Sequence, residues 1–226
     1  MTELDDAVVL VLGASGGLGS RIAALLEERG AVVVRGGSPA GGLTGENAYL
    51  ADLRDRAGAG SLVQAALAAH GRLDGVIVAA GAVAFGPAST LADDTLDELF
   101  AINALAPIRV IRDSFAPLAA SSEAGRKPFV ITLSGVVSEA PTSGMAAYSA
   151  AKSALGAFVQ ATSREYRRSG IRLLDARPGH TETELSKHPI AGEAPAFGES
   201  HSPDAVAERI VRAIVDDEKD LPSTAF

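Results

Sequence analysis

The sequence predicts an α/β fold: a parallel sheet of six or seven strands with helices on both faces, doubly wound, forming one domain over residues 1–226. Three observations predict it. Short unbroken apolar runs alternate with helical stretches along the whole chain. Runs without polar alternation mark strands covered on both faces, and the alternation itself calls for crossover helices. A glycine-dense turn follows directly on the first apolar run. The length, 226 residues with 47% hydrophobic, suits one domain of upper ordinary size and leaves little room for a second.

The elements follow in order. Ala7 to Leu12 is the first strand, and a helix runs from the glycine turn to about Arg29, ended by Gly30. Ala31 to Val34 is the second strand, and Ala48 to Ala51 a short third. Ser61 to Ala69 reads as helix and Gly75 to Ala80 as a buried strand. Leu91 to Leu118 reads as helix with Pro107 inside it, so a kink or break is expected there. Phe129 to Leu133 is a strand, and Ala146 to Ser169 a long helix ending at Gly170. Ile171 to Ala176 is a strand and Asp204 to Asp217 the last helix. Arg35 to Gly45, Ser121 to Pro128 and Pro178 to Pro203 read as loops, the last long enough to expect a functional role.

Composition narrows the function classes. A net charge of −8 disfavours nucleic acid and anionic membrane as partners. Without cysteine there is neither a disulfide framework nor a thiolate metal site, and the scattered histidines lack metal-ligand spacing. The segment Met1 to Asp6 has no signal-peptide pattern, and no apolar run reaches membrane-spanning length. The expectation is a cytoplasmic protein acting on a small molecule, without metal.

The turn reads Gly13-Ala14-Ser15-Gly16-Gly17-Leu18-Gly19. A dinucleotide pyrophosphate needs backbone amides, a helix N-terminus and no β-carbons in the way. Gly13 permits the turn, Gly17 the close approach, and Gly19 tight packing of helix on strand. The bland alternative is a glycine-rich turn that binds nothing. Its place after the first buried strand favours a Rossmann-type nucleotide site.

Tyr148 and Lys152 stand four residues apart near the start of the long helix, on one face and one turn apart. A phenol titrates near about 10, too high for proton exchange at neutral pH, and a nearby ammonium lowers that value. Lys152 could also hold ribose hydroxyls. The alternative is an ordinary i, i+4 pair on an amphipathic helix.

Taken together, Gly13-x-x-x-Gly17-x-Gly19, Ala80-Gly81 after a strand, Asn103 in a helix, Tyr148-x-x-x-Lys152 and Pro178-Gly179 after a later strand resemble the short-chain dehydrogenase/reductase family, from about Ala7 to Asp217. The resemblance implies a seven-stranded parallel sheet and hydride transfer at C4 of a nicotinamide, with tyrosine as acid or base. It further implies that Asp52 and Leu53 meet the adenine, and that Ala80 and Gly81 line the cofactor cleft. Asn103 would hold a water in a proton relay with Lys152, and Thr181 and Thr183 would lie over the nicotinamide. Taken singly, Asp52 also reads as a helix N-cap and the threonines as turn residues.

One position departs from the family. A catalytic serine usually stands thirteen residues before the tyrosine, and here that residue is Gly135. Its task is to donate a hydrogen bond to the substrate oxygen. Ser134 is the favoured substitute, through a shift at the strand end; Ser138, in the loop that also holds Ser143, is a second; a site without the donor is the third. The end of the second strand and the residues after it, Val34-Arg35-Gly36-Gly37-Ser38, lack the carboxylate that NAD-selective members place there. Arg35 and Ser38 could hold a 2′-phosphate, so NADP(H) is expected over NAD(H). The stretch from about 180 to 201 is expected to be a lid over a modest, partly apolar substrate. The leading expectation is an NAD(P)-dependent oxidoreductase acting on a carbonyl or secondary alcohol. The alternative is a dinucleotide-binding protein with lost or altered chemistry: a sensor, scaffold, isomerase or dehydratase. A homodimer or homotetramer through the two long helices is expected.

Overall fold

The structure is a computed structural model that describes all residues 1–226. Six strands form one parallel sheet in the order β3-β2-β1-β4-β5-β6. They are β1 (Val8–Leu12), β2 (Val32–Gly37), β3 (Ala48–Leu50), β4 (Gly75–Val78), β5 (Phe129–Leu133) and β6 (Arg172–Ala176). The helices are α1 (Gly17–Glu27), α2 (Gly58–His70), α3 (Asp93–Phe100), α4 (Ala106–Glu123), α5 (Ala146–Tyr166) and α6 (Pro203–Val215). All five residues of β1 are buried, as their apolar identity requires. Alternate residues of each central strand feed two cores. Val9, Val11 and Ile131 pack with Ile22 of α1 and Ile210 of α6. Leu10, Val76 and Val130 pack with Leu62 of α2, Ile111 of α4 and Leu155 of α5. The sheet is therefore doubly wound, as expected.

Several boundaries differ, each for a physical reason. β2 runs to Gly37, beyond Val34, because Arg35, Gly36 and Gly37 pair with Ala48, Tyr49 and Leu50; neighbouring strand pairing overrides the glycines' poor strand propensity. The long helix around Pro107 is interrupted by a π-helical turn over Ala101–Leu105 that separates α3 from α4. α5 ends at Tyr166 and passes through a 3₁₀ turn into left-handed Gly170. The seventh strand implied by the family likeness is reduced to one bridge, between Ala176 and Leu221. Arg177 N–H donates to the Leu221 carbonyl, but the next residue is Pro222, which has no amide to continue a ladder. No helix is long and apolar enough to cross a membrane.

The order of strands reverses between β1 and β4. In open parallel sheets the crevice at the carboxyl ends of such strands is where ligands bind.

Candidate active site

The β1–α1 turn and the end of β4 meet at that crevice. Gly13 has φ +79°, and a β-carbon there would lie 2.6 Å from the Ala80 amide nitrogen, so only glycine fits both the conformation and the contact. A β-carbon on Gly19 would run into the Gly13 carbonyl, which explains the tight packing of α1 on the turn. Gly17 instead faces the loop after β6, where a β-carbon would come within 3.0 Å of Thr183 Cβ. The close approach expected at Gly17 is made here by Thr183.

α1 carries no acidic residue in its first turn and no side-chain cap. Gly16 N–H donates to the Gly13 carbonyl, while the amides of Gly17, Leu18 and Gly19 have no acceptor in the protein. Three unpartnered amides at the positive end of a helix dipole make a site for an anion. These residues fit a dinucleotide pyrophosphate. Ser15 borders the same turn, and its Oγ would lie 2.8 Å from a β-carbon on Gly41, with Ser38 Oγ at 3.4 Å. Ser15 and Ser38 thus flank one small gap past β2. Arg35 is drawn elsewhere: its guanidinium pairs with Glu27 of α1 at 2.7 Å. Leu53 is buried, and Asp52 binds the amide and guanidinium of Arg54, the latter at 2.7 Å. The Arg54 guanidinium holds the Asp52 carboxyl below the usual range.

Lys152 and Tyr148 share one face of α5, with Lys152 Nζ 5.7 Å from the Tyr148 ring centre. Lys152 is buried and donates to the Leu133 carbonyl at 2.7 Å. Burial pulls its ammonium down to about 8, opposed by the charge of Asp175. Burial pushes the Tyr148 hydroxyl up to about 12, opposite to the lowering expected from a nearby ammonium, because the ammonium lies over the ring and no hydrogen bond joins the two side chains. Asn103 sits in the π turn, fully buried. Its Nδ2 donates to the carbonyls of Leu99 (3.0 Å) and Ala82 (2.8 Å), and its Oδ1 accepts from the Ala82 amide at 3.2 Å. Gly81 threads between: a β-carbon there would lie 3.1 Å from Asn103 Oδ1 and 3.6 Å from Lys152 Nζ. Asn103, Gly81, Lys152 and Tyr148 are therefore brought together.

The serines are not placed as a strand-end substitute requires. Ser134 is fully buried, and its hydroxyl donates to Asp175 and lies 2.8 Å from Ser138 Oγ. Ser138 also donates to the Gly135 carbonyl at 2.7 Å, and Ser143 is exposed. Gly135 itself has φ +71° and ψ 168°. Pro178 accepts from the Val136 amide at 2.9 Å, and Gly179 abuts His201. Thr181 donates to the Gly179 carbonyl at 3.1 Å.

Sequence reasoning missed two features. One is a cavity of about 310 Å³ bordered by Tyr148, Met145, Phe85, Leu99 and Thr95. Its far wall is closed where Ile190 N–H donates to Val83 and Phe85 N–H to Ala191, contacts between distant segments that leave no local signal. The other is Asp175, detectable only as the one charge inside the otherwise apolar stretch Leu173–Ala176.

Comparison with known proteins agrees with this geometry. Residues 7–193 match the family model described as short chain dehydrogenase. A cyclic-di-GMP-binding biofilm dispersal mediator protein of Escherichia coli is 33% identical, over 82% of this chain and 78% of its own length. A putative ketoacyl reductase of the monensin polyketide synthase from Streptomyces virginiae is 30% identical, over 87% and 79%. Among solved structures, a 3-ketoacyl-(acyl-carrier-protein) reductase from Brucella melitensis complexed with NADH superposes with TM-score 0.86 at 22% identity, covering 97% of both chains. By the family match over most of its length, the glycine turn, and the placement of Asn103, Tyr148 and Lys152, this chain belongs to the short-chain dehydrogenase/reductase family.

Proposed function

We propose that the chain is an oxidoreductase that moves a hydride between a nicotinamide dinucleotide and a small uncharged carbonyl compound or secondary alcohol, with Tyr148 as acid or base. One observation carries the reading: Tyr148 lines the cavity and has the Lys152 ammonium 5.7 Å from its ring centre. The dinucleotide would lie against the amides of Gly17, Leu18 and Gly19, with Gly13, Gly16, Ala80 and Gly81 giving backbone access. Ser15 and Ser38 would border its ribose, Asp52 and Leu53 its adenine, and Pro178, Gly179, Thr181 and Thr183 its nicotinamide end. The nicotinamide, when bound, supplies or accepts the hydride.

The chain's own groups handle the proton. Burial keeps the Tyr148 phenol protonated but also weakens it as an acid; donation to a carbonyl oxygen in reduction would need the positive charge of Lys152, and of the oxidised nicotinamide as it forms, to offset that. Lys152 stabilises the phenolate that remains. The phenolate would recover its proton from the Lys152 ammonium, and a water held at the Asn103 carbonyl would replace the proton that Lys152 gives up; the amide four residues on is missing there, since that residue is Pro107. No charged side chain borders the cavity, and Glu182, Glu184, Glu193 and Glu199 crowd the lid sequence, so anionic substrates are disfavoured. NADP(H) is the preferred cofactor in this reading, because the end of β2 offers no carboxylate to a ribose 2′-hydroxyl. Arg35 would reach a 2′-phosphate by sharing its bond with Glu27.

A second reading has its own observation: Gly135 leaves the substrate oxygen without a serine donor, and Ser134 and Ser138 are already engaged. Loss of one such donor costs about 10²–10³ in turnover. That favours a slow enzyme, or a dinucleotide-binding sensor, scaffold, isomerase or dehydratase.

A panel of neutral ketones and secondary alcohols, assayed with both cofactors by absorbance of the reduced nicotinamide, tests the first reading. Tyr148→Phe should keep dinucleotide affinity and lower turnover about 10²–10⁴-fold. A Tyr148→Phe variant with wild-type turnover makes Tyr148 a packing residue and sinks the proposal. Calorimetry should find NADP(H) bound more tightly than NAD(H), and Arg35→Ala should narrow the gap; equal affinities in the wild type refute the preference.

A further inference from the structure

Asp175 is 7% exposed and pairs in register with Thr132 across β5 and β6. Both side chains leave the sheet on the face that α5 covers, where Val130 and Leu173, two residues earlier, pack against Leu155 and Val159. There Asp175 Oδ1 accepts from the Thr132 hydroxyl at 2.7 Å and the Ser134 amide at 3.2 Å, and Oδ2 from the Ser134 hydroxyl. α5 closes over this cluster at Gly156, whose β-carbon would lie 3.6 Å from Oδ2. Gly156 is one helical turn past Lys152. Lys152 Nζ in turn donates to the carbonyl of Leu133, the residue between the two that Asp175 holds. Carboxylate and ammonium thus grip consecutive residues of one strand end.

A buried carboxylate is costly unless several donors serve it. Here an amide that can only donate, two hydroxyls and the Arg177 guanidinium at 3.6 Å all favour the ionised form, against burial, which pushes its pKa up. Arg177 is itself paired with Glu139 and Asp220. Around Lys152 stand Tyr148 on its own helix, neutral Asn103 across Gly81, and Asp175 from β6. Asp175 is the one anion among them.

We propose that Asp175 is the positioning residue for Lys152: it holds the end of β5 that carries the ammonium's acceptor, and its negative charge keeps that ammonium protonated in the buried site. The proposal rests on the role given to Lys152 above. It also accounts for Ser134, whose hydroxyl serves the carboxylate and not a substrate. Asp175 does not line the cavity beside Tyr148.

The test does not need turnover. The chain has four lysines, Lys127, Lys152, Lys187 and Lys219, so their side-chain signals can be titrated by NMR after ¹³C/¹⁵N-lysine labelling, with Lys152 assigned by its loss in Lys152→Arg. In Asp175→Asn the Lys152 midpoint should fall by about one pH unit or more, the other three staying put. An unchanged midpoint overturns the proposal. Should that variant not fold, Thr132→Val with Ser134→Ala, which strips the donors that keep the carboxylate ionised, should lower the same midpoint; no change there overturns it equally. With a turned-over substrate, the alkaline limb of the Asp175→Asn rate profile moves to lower pH, because the charged lysine is lost earlier. A missing substrate would count against the oxidoreductase reading and leave the titration result standing.

Discussion

At Gly135 the backbone adopts φ +71° and ψ 168°, a region open almost only to glycine. The glycine is therefore a conformational requirement of the loop as built, although a side chain there would meet nothing closer than the Pro178 carbonyl at 3.7 Å. Restoring the family's serine with Gly135→Ser should cost about 1–3 kcal/mol of stability, seen as a lower melting temperature, without raising turnover. A rate gain of tenfold or more at unchanged stability would mean that the loop relaxes readily and that the donor alone is lacking. The same scale separates what the sequence can and cannot say about the catalytic group. Tyr148 and Lys152 are readable from spacing because helical periodicity carries it into space, whereas Asn103 is legible only through the resemblance to the family. The preference for Ser134 as the serine's replacement is not met in the structure, because the partner that claims its hydroxyl, Asp175, is 41 residues away.

At the scale of elements, the break between α3 and α4 positions Asn103. Pro107 signals an interruption, but the π turn of Ala101–Leu105 is a tertiary outcome. It sets Asn103 against the Ala82 backbone, which accepts and donates to its amide group. Such turns are often found at functional sites. Pro107→Ala would return an amide within reach of the Asn103 carbonyl. The expected result is a lower turnover at unchanged dinucleotide affinity, measured by steady-state kinetics beside calorimetry. Wild-type turnover in that variant would remove the Asn103 carbonyl from the proton path.

At the scale of the molecule, α4 and α5 present small and apolar residues outward. Ala150, Ala157 and Ala161 of α5 are exposed, with Ala154 half-buried on the same face; Phe115 of α4 is 37% exposed, and Leu105, which caps the start of α4, 44%. Alanines at this spacing let helices approach closely, and a two-fold axis through the pair would bury them against their own copies. Light scattering at micromolar concentration should report a multiple of the 22.9 kDa chain mass, and Ala157→Glu should shift it toward monomer. A single chain mass for the wild type would refute this.

The sequence by itself determined the parallel doubly wound sheet, the glycine turn and the Tyr148–Lys152 face, because each is written in local period: unbroken apolar runs for buried strands, glycine where β-carbons collide, and four-residue spacing on a helix. Only the tertiary structure decided where β2 ends, that Arg35 turns to Glu27, that Thr183 covers Gly17, that Ser134 belongs to Asp175, and that two distant segments close the cavity. Those outcomes are set by pairings between residues far apart in the chain. Hydrogen bonds and buried charges choose the partner that leaves the fewest groups unsatisfied, and that choice exists only once the sheet and helices are packed.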